Sequence, residues 1–297
     1  MSSRVGLDVG GTKIEGVVLD AAGAITERRR VPTEAHRGYE HIVSAAARLA
    51  GELLNLAPKV ASIGVGMPGA VSRRTGAVKN SNTQCLNNRD FPGDLARAIG
   101  RPVVAENDAN CFALAEARLG AGRGHRVVFG VIMGTGVGGG IAIDGAVHAG
   151  PQRIAGEWGH HSIDPSGASC YCGNRGCVET YLSGPALAAR YASECGRTAD
   201  ADAAEVFAAS RAGDSTAERV VIEFLDHFGR ALANVIDILD PDVVVLGGGL
   251  SNVAELYGRG RAAVAERVFT DELLTPIVPN HLGDSAGVVG AALLADG

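Results

Sequence analysis

The chain has no apolar stretch near the ~18 residues a bilayer-spanning helix needs, and no Lys/Arg run longer than Arg28-Arg29-Arg30. With a formal net charge of −6, that triplet reads as a solvated strand edge, so neither a membrane nor a nucleic acid is an expected partner. No helix-turn-helix pattern opens the sequence. Met1-Ser2-Ser3-Arg4-Val5 runs straight into a first strand and leaves no room for a secretory signal peptide, so a cytoplasmic location is expected. Two nucleotide-binding signatures are missing as well: a Walker loop, and a Rossmann glycine motif followed by a helix. No low-complexity segment or disordered tail is evident. Cysteine is scarce, with six residues, yet three of them crowd into Cys170-Tyr171-Cys172-Gly173-Asn174-Arg175-Gly176-Cys177. In a chain without a secretory signal, that crowding points to a metal rather than disulfides. Cys85, Cys111 and Cys195 read as buried thiols.

Glycine, by contrast, is abundant: 42 of 297 residues. Two glycine-rich turns share one design, Asp8-Val9-Gly10-Gly11-Thr12-Lys13 and Gly134-Thr135-Gly136-Val137-Gly138-Gly139-Gly140. Each lies between two β-like runs, Val5–Asp8 and Ile14–Asp20 for the first, Val127–Met133 and Ile141–Gly145 for the second. Aligning Gly6 with Gly130 superimposes the turns and their flanking strands, which marks an internal duplication. Two such hairpins can offer backbone N–H groups to a polyphosphate.

At 297 residues the chain has room for two domains. Helical composition runs over Tyr39–Asn55, Asp94–Ile99, Ala109–Leu119, Pro185–Ala192, Ala203–Arg211, Ala217–Leu239 and about Ala286–Leu294. Strands are expected at Val60–Val65, Val103–Ala105, Val243–Leu246 and Pro276–Val278. Strands followed by helices, twice over, predict a two-domain α/β protein with a cleft between the halves. The expected division is a smaller domain over 1–119 and a larger one over 120–285, with the last helix, 286–297, packing back on the first. Gly120–Gly124 is the candidate hinge.

Asp8 stands beside a phosphate turn, where a carboxylate needs an intervening cation. Mg²⁺ coordination is therefore expected of it, against the alternative of a hairpin Asp bonding its own backbone. Thr12 and Lys13 can add a hydroxyl and a charge to the phosphates, or Lys13 can be a solvated strand residue. Asn107-Asp108 stands where a short strand meets a helix. Asp108 is either a general base for a substrate hydroxyl attacking a γ-phosphate or the cap of a helix from Ala109. Cys170, Cys172 and Cys177 supply three ligands for a tetrahedral structural zinc, with His160 or His161 as the fourth. Glu157 and Glu179 then flank a metal-pinned loop, a placement suited to the hydroxyls of a polyol. Gly248 and Gly249, within Gly247-Gly248-Gly249-Leu250-Ser251-Asn252, either admit a flat adenine or ribose or simply make a tight turn.

These motifs, taken in order, resemble the ROK family of sugar kinases, of the actin–hexokinase–Hsp70 superfamily and its ribonuclease H-like fold. They include Gly66-Met67-Pro68-Gly69, Glu106-Asn107-Asp108-Ala109-Asn110, Gly134-Thr135-Gly136, Glu157-Trp158-Gly159-His160 and the Cys-x-Cys-Gly-x-x-Gly-Cys-x-Glu run at Cys170–Glu179. The resemblance implies Asp108 as catalytic base and Asp8 at the Mg²⁺–phosphate site, with Gly10, Gly11, Thr12, Lys13, Gly134, Thr135, Gly136, Gly248 and Gly249 around ATP. It implies Asn82, Asn107, Asp108, Glu157, His160 and Glu179 as sugar ligands. His160, Cys170, Cys172 and Cys177 would bind the zinc, with the free ring nitrogen of His160 facing the sugar. A homodimer is also implied. Within the family, Val78–Asn82, Leu86-Asn87, Gly156–His160 and Ser169–Gly173 look most like bacterial fructokinases of the manno(fructo)kinase type.

The expected activity is thus ATP-dependent phosphorylation of a hexose, fructose first. The same-family alternatives are N-acetylglucosamine, glucose and mannose. A sugar-responsive repressor of this fold is disfavoured by the missing DNA-binding segment, the acidic charge and the intact Asn107-Asp108. A chaperone-like ATPase is disfavoured by the metal loop beside Glu157 and Glu179.

Overall fold

The computed structural model describes residues 3–196 and 202–296. In chain order its strands and helices are β1 (Arg4–Val9), β2 (Lys13–Leu19), β3 (Ile25–Pro32), α1 (Tyr39–Leu56), β4 (Ile63–Met67), β5 (Ala70–Val71), β6 (Val78–Lys79), α2 (Phe91–Ile99), β7 (Val103–Asn107) and α3 (Asp108–Leu119). There follow β8 (Val127–Met133), β9 (Val137–Ile143), β10 (Ala146–Val147), α4 (Glu179–Leu182), α5 (Gly184–Glu194), α6 (Ala203–Arg211), α7 (Ser215–Leu239), β11 (Val243–Gly247), α8 (Arg259–Ala265), β12 (Ile277–Pro279) and α9 (Ala286–Leu293). Contacts divide the chain into two compact units. One comprises Met1–Arg123, Gly140–Ala155 and Leu282–Gly297, the other Gly124–Gly139 and Gly156–His281. Gly297, the end of the expected last helix, lies outside the described residues.

The duplication signalled by the glycine turns extends over two whole sheets. One has the strand order β3-β2-β1-β4-β7 and the other β10-β9-β8-β11-β12. In the first, β1 is antiparallel to β2 and parallel to β4, which is parallel to β7. In the second, β11 is parallel to both β8 and β12. The same five-stranded plan is written twice. The mixed α/β class expected from the sequence is the one observed.

Two expected boundaries move for local reasons. The strand placed at Val60 begins at Ile63, because the Val60 amide is spent on Ala57 O (3.1 Å) in the turn that ends α1. The helix placed at Asp94 begins at Phe91, because Asp90 caps it by accepting from Gly93 N (3.0 Å) and Pro92 suits its first turn. The short α4, α8, β5, β6 and β10 carry too little periodicity to be read in advance.

In the first unit the two faces of the sheet are built differently. On one face, Leu7 meets Leu49 and Leu53 of α1 over Gly16, with Val5, Ile14, Ile42, Ile63 and Val65 in the same core. On the other face, β1 and β4 carry glycines at the positions where α9 comes closest. A Cβ at Gly6 or Gly64 would fall on the backbone of α9, at Ala292 and Ala291, and a Cβ at Gly290 would fall on the Cys111 carbonyl of α3. Helix α9 (Ala-Gly-Val-Val-Gly-Ala-Ala-Leu) is small enough to approach the strands backbone to backbone.

In the second unit, α7 buries Val220, Phe224, Phe228, Leu232 and Ile236 along one face, the i, i+4 stripe of a packed helix. Gly229 lets α8 approach at Ala263.

This packing predicts opposite effects for two Gly→Ala changes. Gly64→Ala should lose 3 kcal/mol or more, beyond the roughly 1–3 kcal/mol of ordinary overpacking, because backbone rather than a flexible side chain fills the space. Gly51→Ala, within α1 and with nothing within 4 Å of its Cβ position, should gain roughly 0.5–1 kcal/mol. Thermal and denaturant melts of the two variants decide it.

Candidate functional site

In the first unit the carboxyl ends of the parallel strands β1, β4 and β7 lie along one sheet edge, where ligands of open α/β sheets bind. The register sets Arg30, Glu15, Asp8, Gly66 and Glu106 in one row across the sheet. Paired residues share a face, so the row gathers four ionisable groups around one glycine. Asp8 is cradled by backbone: a Cβ at Gly66 would stand 3.5 Å from its Oδ1 and one at Gly287 3.2 Å from its Oδ2. Burial, and then the charge of Asp108, push the Asp8 carboxyl up to about 7. Glu15 adds to this and Lys13 opposes it. Asp8 and Asp108, far apart in sequence, are thus electrostatic neighbours at a site that favours a cation.

The turn Gly10–Thr12 closes with Gly10 N donating to Lys13 O (3.0 Å). Buried Thr33 braces it, its hydroxyl donating to Gly10 O (2.6 Å) and its amide to Thr12 O (2.9 Å). Thr83 packs on Gly11, 3.5 Å from its Cβ position. Asn82, next to Thr83, is exposed, on a loop that the Asn87 side chain holds by accepting from Ser81 N (2.9 Å) and donating to Ser81 O (2.8 Å). Lys13 lies 3.5 Å from Glu15, a buried carboxylate that Arg28 (2.6 Å) and Arg30 (2.7 Å) also engage. The arginine triplet is therefore not merely solvated. Its alternate members fork onto Glu15, while Arg29 pairs with Glu27 and Glu52. Sequence reading missed this cluster because its partner sits on the neighbouring strand β2 and only the β2–β3 register sets it opposite Arg30.

The cap of α3 is Asn107, not Asp108. Asn107 Oδ1 accepts from Ala109 N (2.9 Å) and Asn110 N (3.3 Å), and its Nδ2 donates to Gly69 O (3.2 Å). A β-region backbone at Asn107 puts the cap one residue earlier than expected and leaves Asp108 as the first helical residue. Buried Glu106 backs the pair: it accepts from Asn107 N (2.9 Å) and Asn110 Nδ2 (3.2 Å) and pairs with Arg153 (3.1 Å). Only the strand register brings Glu106 into the row, and only its ion pair brings Arg153 to it.

In the second unit the turn Gly134–Gly136 ends β8, with Gly134 N donating to Gly136 O (2.9 Å). It lies beside Gly248 and Gly249, which follow β11. Gly248 has φ 78° and its Cβ position falls on Met133 O, so only glycine fits that approach. Gly134, Thr135, Pro185, Ala203, Gly249 and Leu250 are among the residues lining a hollow of about 530 Å³.

Buried Trp158 anchors the Glu157–His160 turn, its indole N–H donating to Ala231 O (3.0 Å) and its ring edge-on to Phe129. The ligand atoms of His160, Cys170, Cys172 and Cys177 lie within 4.8 Å of one another. Cys172 Sγ to Cys177 Sγ and Cys170 Sγ to His160 Nδ1 are both 3.6 Å, near the edge of about 3.8 Å that Zn–S bonds of ≈ 2.3 Å impose on a tetrahedron. All six cysteines are free thiols. Burial, then the neighbouring thiols, push Cys177 up to about 12, so its thiolate needs a cation. The donor set fits a structural zinc. His161 turns away, 3.3 Å from Asn234. The outer nitrogen of His160, Nε2, meets the Tyr171 hydroxyl at 3.0 Å. Glu157 and Glu179 are half-buried at either end of this loop.

The Asp8 environment predicts a pH signature in the nucleotide- and Mg²⁺-free protein. Below about pH 4 the carboxyl is protonated in both folded and unfolded chains. Between the ordinary value of 3.8 and about 7 the unfolded chain releases the proton and the folded chain keeps it. Stability therefore falls as pH rises, by roughly 1.4 kcal/mol per pH unit at most. Asp8→Asn removes this penalty, so its Tm should exceed that of the parent at pH 8 and approach it at pH 4. A Tm difference that does not move between pH 5 and pH 8 contradicts the assignment.

The ROK family model matches residues 4–297. The chain is 38% identical to the N-acetylgalactosamine kinase of Shewanella sp., covering 98% of this chain and 96% of that one. It is 37% identical to the N-acetyl-D-glucosamine kinase of Pasteurella multocida, covering 98% of each. The solved ROK hexokinase of Thermus thermophilus superimposes with a TM-score of 0.87 at 36% identity, over 99% of this chain and 98% of that one. With a family match over nearly its whole length and relatives this close, the chain belongs to the ROK family.

Proposed function

We propose that this protein is an ATP-dependent sugar kinase whose substrate is an N-acetylated hexosamine. The kinase reading rests on one observation above the others. Two glycine turns end the first strands of two like-patterned sheets, and the first stands beside an Asp8 whose burial and Asp108 neighbour call for a cation. The choice of sugar rests on the relatives, two of which, at 37–38% identity, act on N-acetylhexosamines. That favours the N-acetylglucosamine alternative over fructose. The segments that suggested fructokinase, Val78–Asn82, Leu86-Asn87, Gly156–His160 and Ser169–Gly173, mix bracing residues such as Asn87 and Trp158 with the candidate sugar ligands Asn82, Glu157 and His160, and the bracing carries no information on individual sugar hydroxyls.

In this reading Asp108 accepts the proton of the attacking hydroxyl as its oxygen bonds to the γ-phosphorus and ADP departs. Asp8 holds Mg²⁺, which offsets phosphate charge. Gly10–Lys13 and Gly134–Gly136 offer amides to the phosphates, and Gly248-Gly249 borders the base and ribose. Asn82, Glu157 and Glu179 meet the sugar hydroxyls, and His160 joins them only where a hydroxyl displaces Tyr171 from its Nε2. Asn107, already engaged at both ends of its amide, orients the Asp108 helix and has only one N–H to spare. His160, Cys170, Cys172 and Cys177 would hold the zinc, whose ligation would keep Glu157 and Glu179 in place.

ADP release measured across a hexose panel tests the assignment. N-acetylglucosamine or N-acetylgalactosamine should exceed fructose at least tenfold in kcat/KM, the size of one misplaced buried hydrogen bond. Faster fructose turnover overturns the choice of sugar, and no sugar-dependent ADP release overturns the kinase. Asp108→Asn should melt like the parent, since Asn107 caps the helix, while turnover drops ~10²–10⁴-fold.

A further inference from the structure

We propose that the Cys/His loop sets the geometry of the second glycine turn as well as that of the sugar ligands, with Glu179 as the positioning residue that joins them. The proposal rests on the reading of Gly134–Gly136 as a phosphate turn. Three contacts within the second unit carry it. Glu179, two residues after the ligand Cys177, accepts from the backbone N–H of Val137 through Oε2 at 2.9 Å. The fit is close, because a Cβ at Gly136 would stand 2.7 Å from that same oxygen. Gly184 N, just beyond α4, donates to Gly134 O at 2.8 Å. On the other side, Gly159, next to the ligand His160, packs backbone to backbone on Val137, its Cβ position falling on the Val137 carbonyl.

The turn is therefore gripped from two sides by residues adjacent to metal ligands. Its Val137 amide is held by a carboxylate, the stronger kind of hydrogen bond. Glu179 stands at the first residue of a four-residue helix, an element too short to hold its own position. What anchors it is the closure of the Cys170–Cys177 loop. That closure runs through the Cys170 N to Asn174 O bond (2.8 Å), the Ser162–Cys177 bridge and Gly176, where a side chain would strike Asp164. A metal on the four ligands fixes this loop and, through Glu179, fixes where the turn presents its amides. One carboxylate then serves both substrates: Oε2 holds the donor's turn, and Oε1 remains for the sugar.

Binding of the ATP analogue AMPPNP with Mg²⁺, in the absence of sugar, tests this by calorimetry on the zinc-loaded protein. Glu179→Ala should weaken AMPPNP about tenfold. Glu179→Gln keeps an oxygen for the Val137 N–H and should stay within about threefold of the parent. Amide hydrogen exchange at Val137 should speed up in Glu179→Ala and in chelator-stripped protein, and stay near the parent rate in Glu179→Gln. The exchange measurement needs no ligand, so it remains decisive if a variant binds poorly for other reasons. Unchanged AMPPNP affinity and Val137 exchange in a folded Glu179→Ala overturns the coupling and leaves Glu179 a sugar ligand alone. Stripped protein with parental Val137 exchange overturns the role of the metal loop. Failure of the parent protein to bind AMPPNP overturns the donor reading and this inference with it.

Discussion

Backbone packed directly on backbone is the constraint from which the rest of this structure follows. Gly6 and Gly64 let α9 lie on the first sheet, and Gly290 lets it lie on α3. With no side chains between, the row of residues across the sheet is brought beneath the helix, and Asp8 is enclosed by Gly66 and Gly287. The enclosure desolvates the carboxylate and brings it under the influence of Asp108, which drives its affinity for protons up. An acid so placed is unstable as an anion alone and favoured as a ligand of a cation. The same device recurs in the second unit at Gly159 on Val137 and Gly248 on Met133. Glycine abundance here is a packing device as much as a source of turns.

The polar groups around the site are held by partners remote in sequence. Thr33 braces the first turn, Asn87 the Asn82 loop, Glu106 and Arg153 the Asn107–Asp108 corner, and Glu179 the second turn. Each of these residues acts on backbone or on another side chain, and each leaves the groups named for chemistry pointing from a rigid support. Supporting groups of this kind separate a present site from a productive one. The Glu15–Arg28–Arg30 cluster shows the same economy: a buried carboxylate is satisfied by two arginines that alternate along β3, so the outer strands stay charged at the surface and paired within.

The candidate site was legible where chemistry is local. The Cys-x-Cys-x₄-Cys spacing encloses a short loop, and the loop closes on His160 as expected because four ligands need only a few residues to converge. The two glycine turns were legible because both are flanked by β-like runs that match when Gly6 is aligned with Gly130. Of the two readings left open for Asp108, the cap falls away: Asn107 and Asp108 are both good caps, and the β-region backbone at Asn107 gives the role to Asn107. Sugar preference is less legible, because the segments that suggested fructose join bracing residues such as Asn87 and Trp158 to the candidate sugar ligands, and the bracing is indifferent to which hydroxyl is met.

By itself the sequence determined the α/β class, the duplicated strand–turn–strand plan, the helices with strong 3.6-residue periodicity and the Cys/His cluster. Each of these is set by short-range pattern, spacing or the number of donors a tetrahedron needs. Only the tertiary structure decided that five strands of each half follow the same order, that α9 lies on bare glycine backbone, and that Asp8 lines up with Glu15 and Glu106. It alone decided that Glu179 holds the Val137 amide. Those relations depend on which strands become neighbours and in what register, and on how closely two backbones can approach. Register and close approach are settled by long-range packing, to which a residue's sequence neighbours contribute almost nothing.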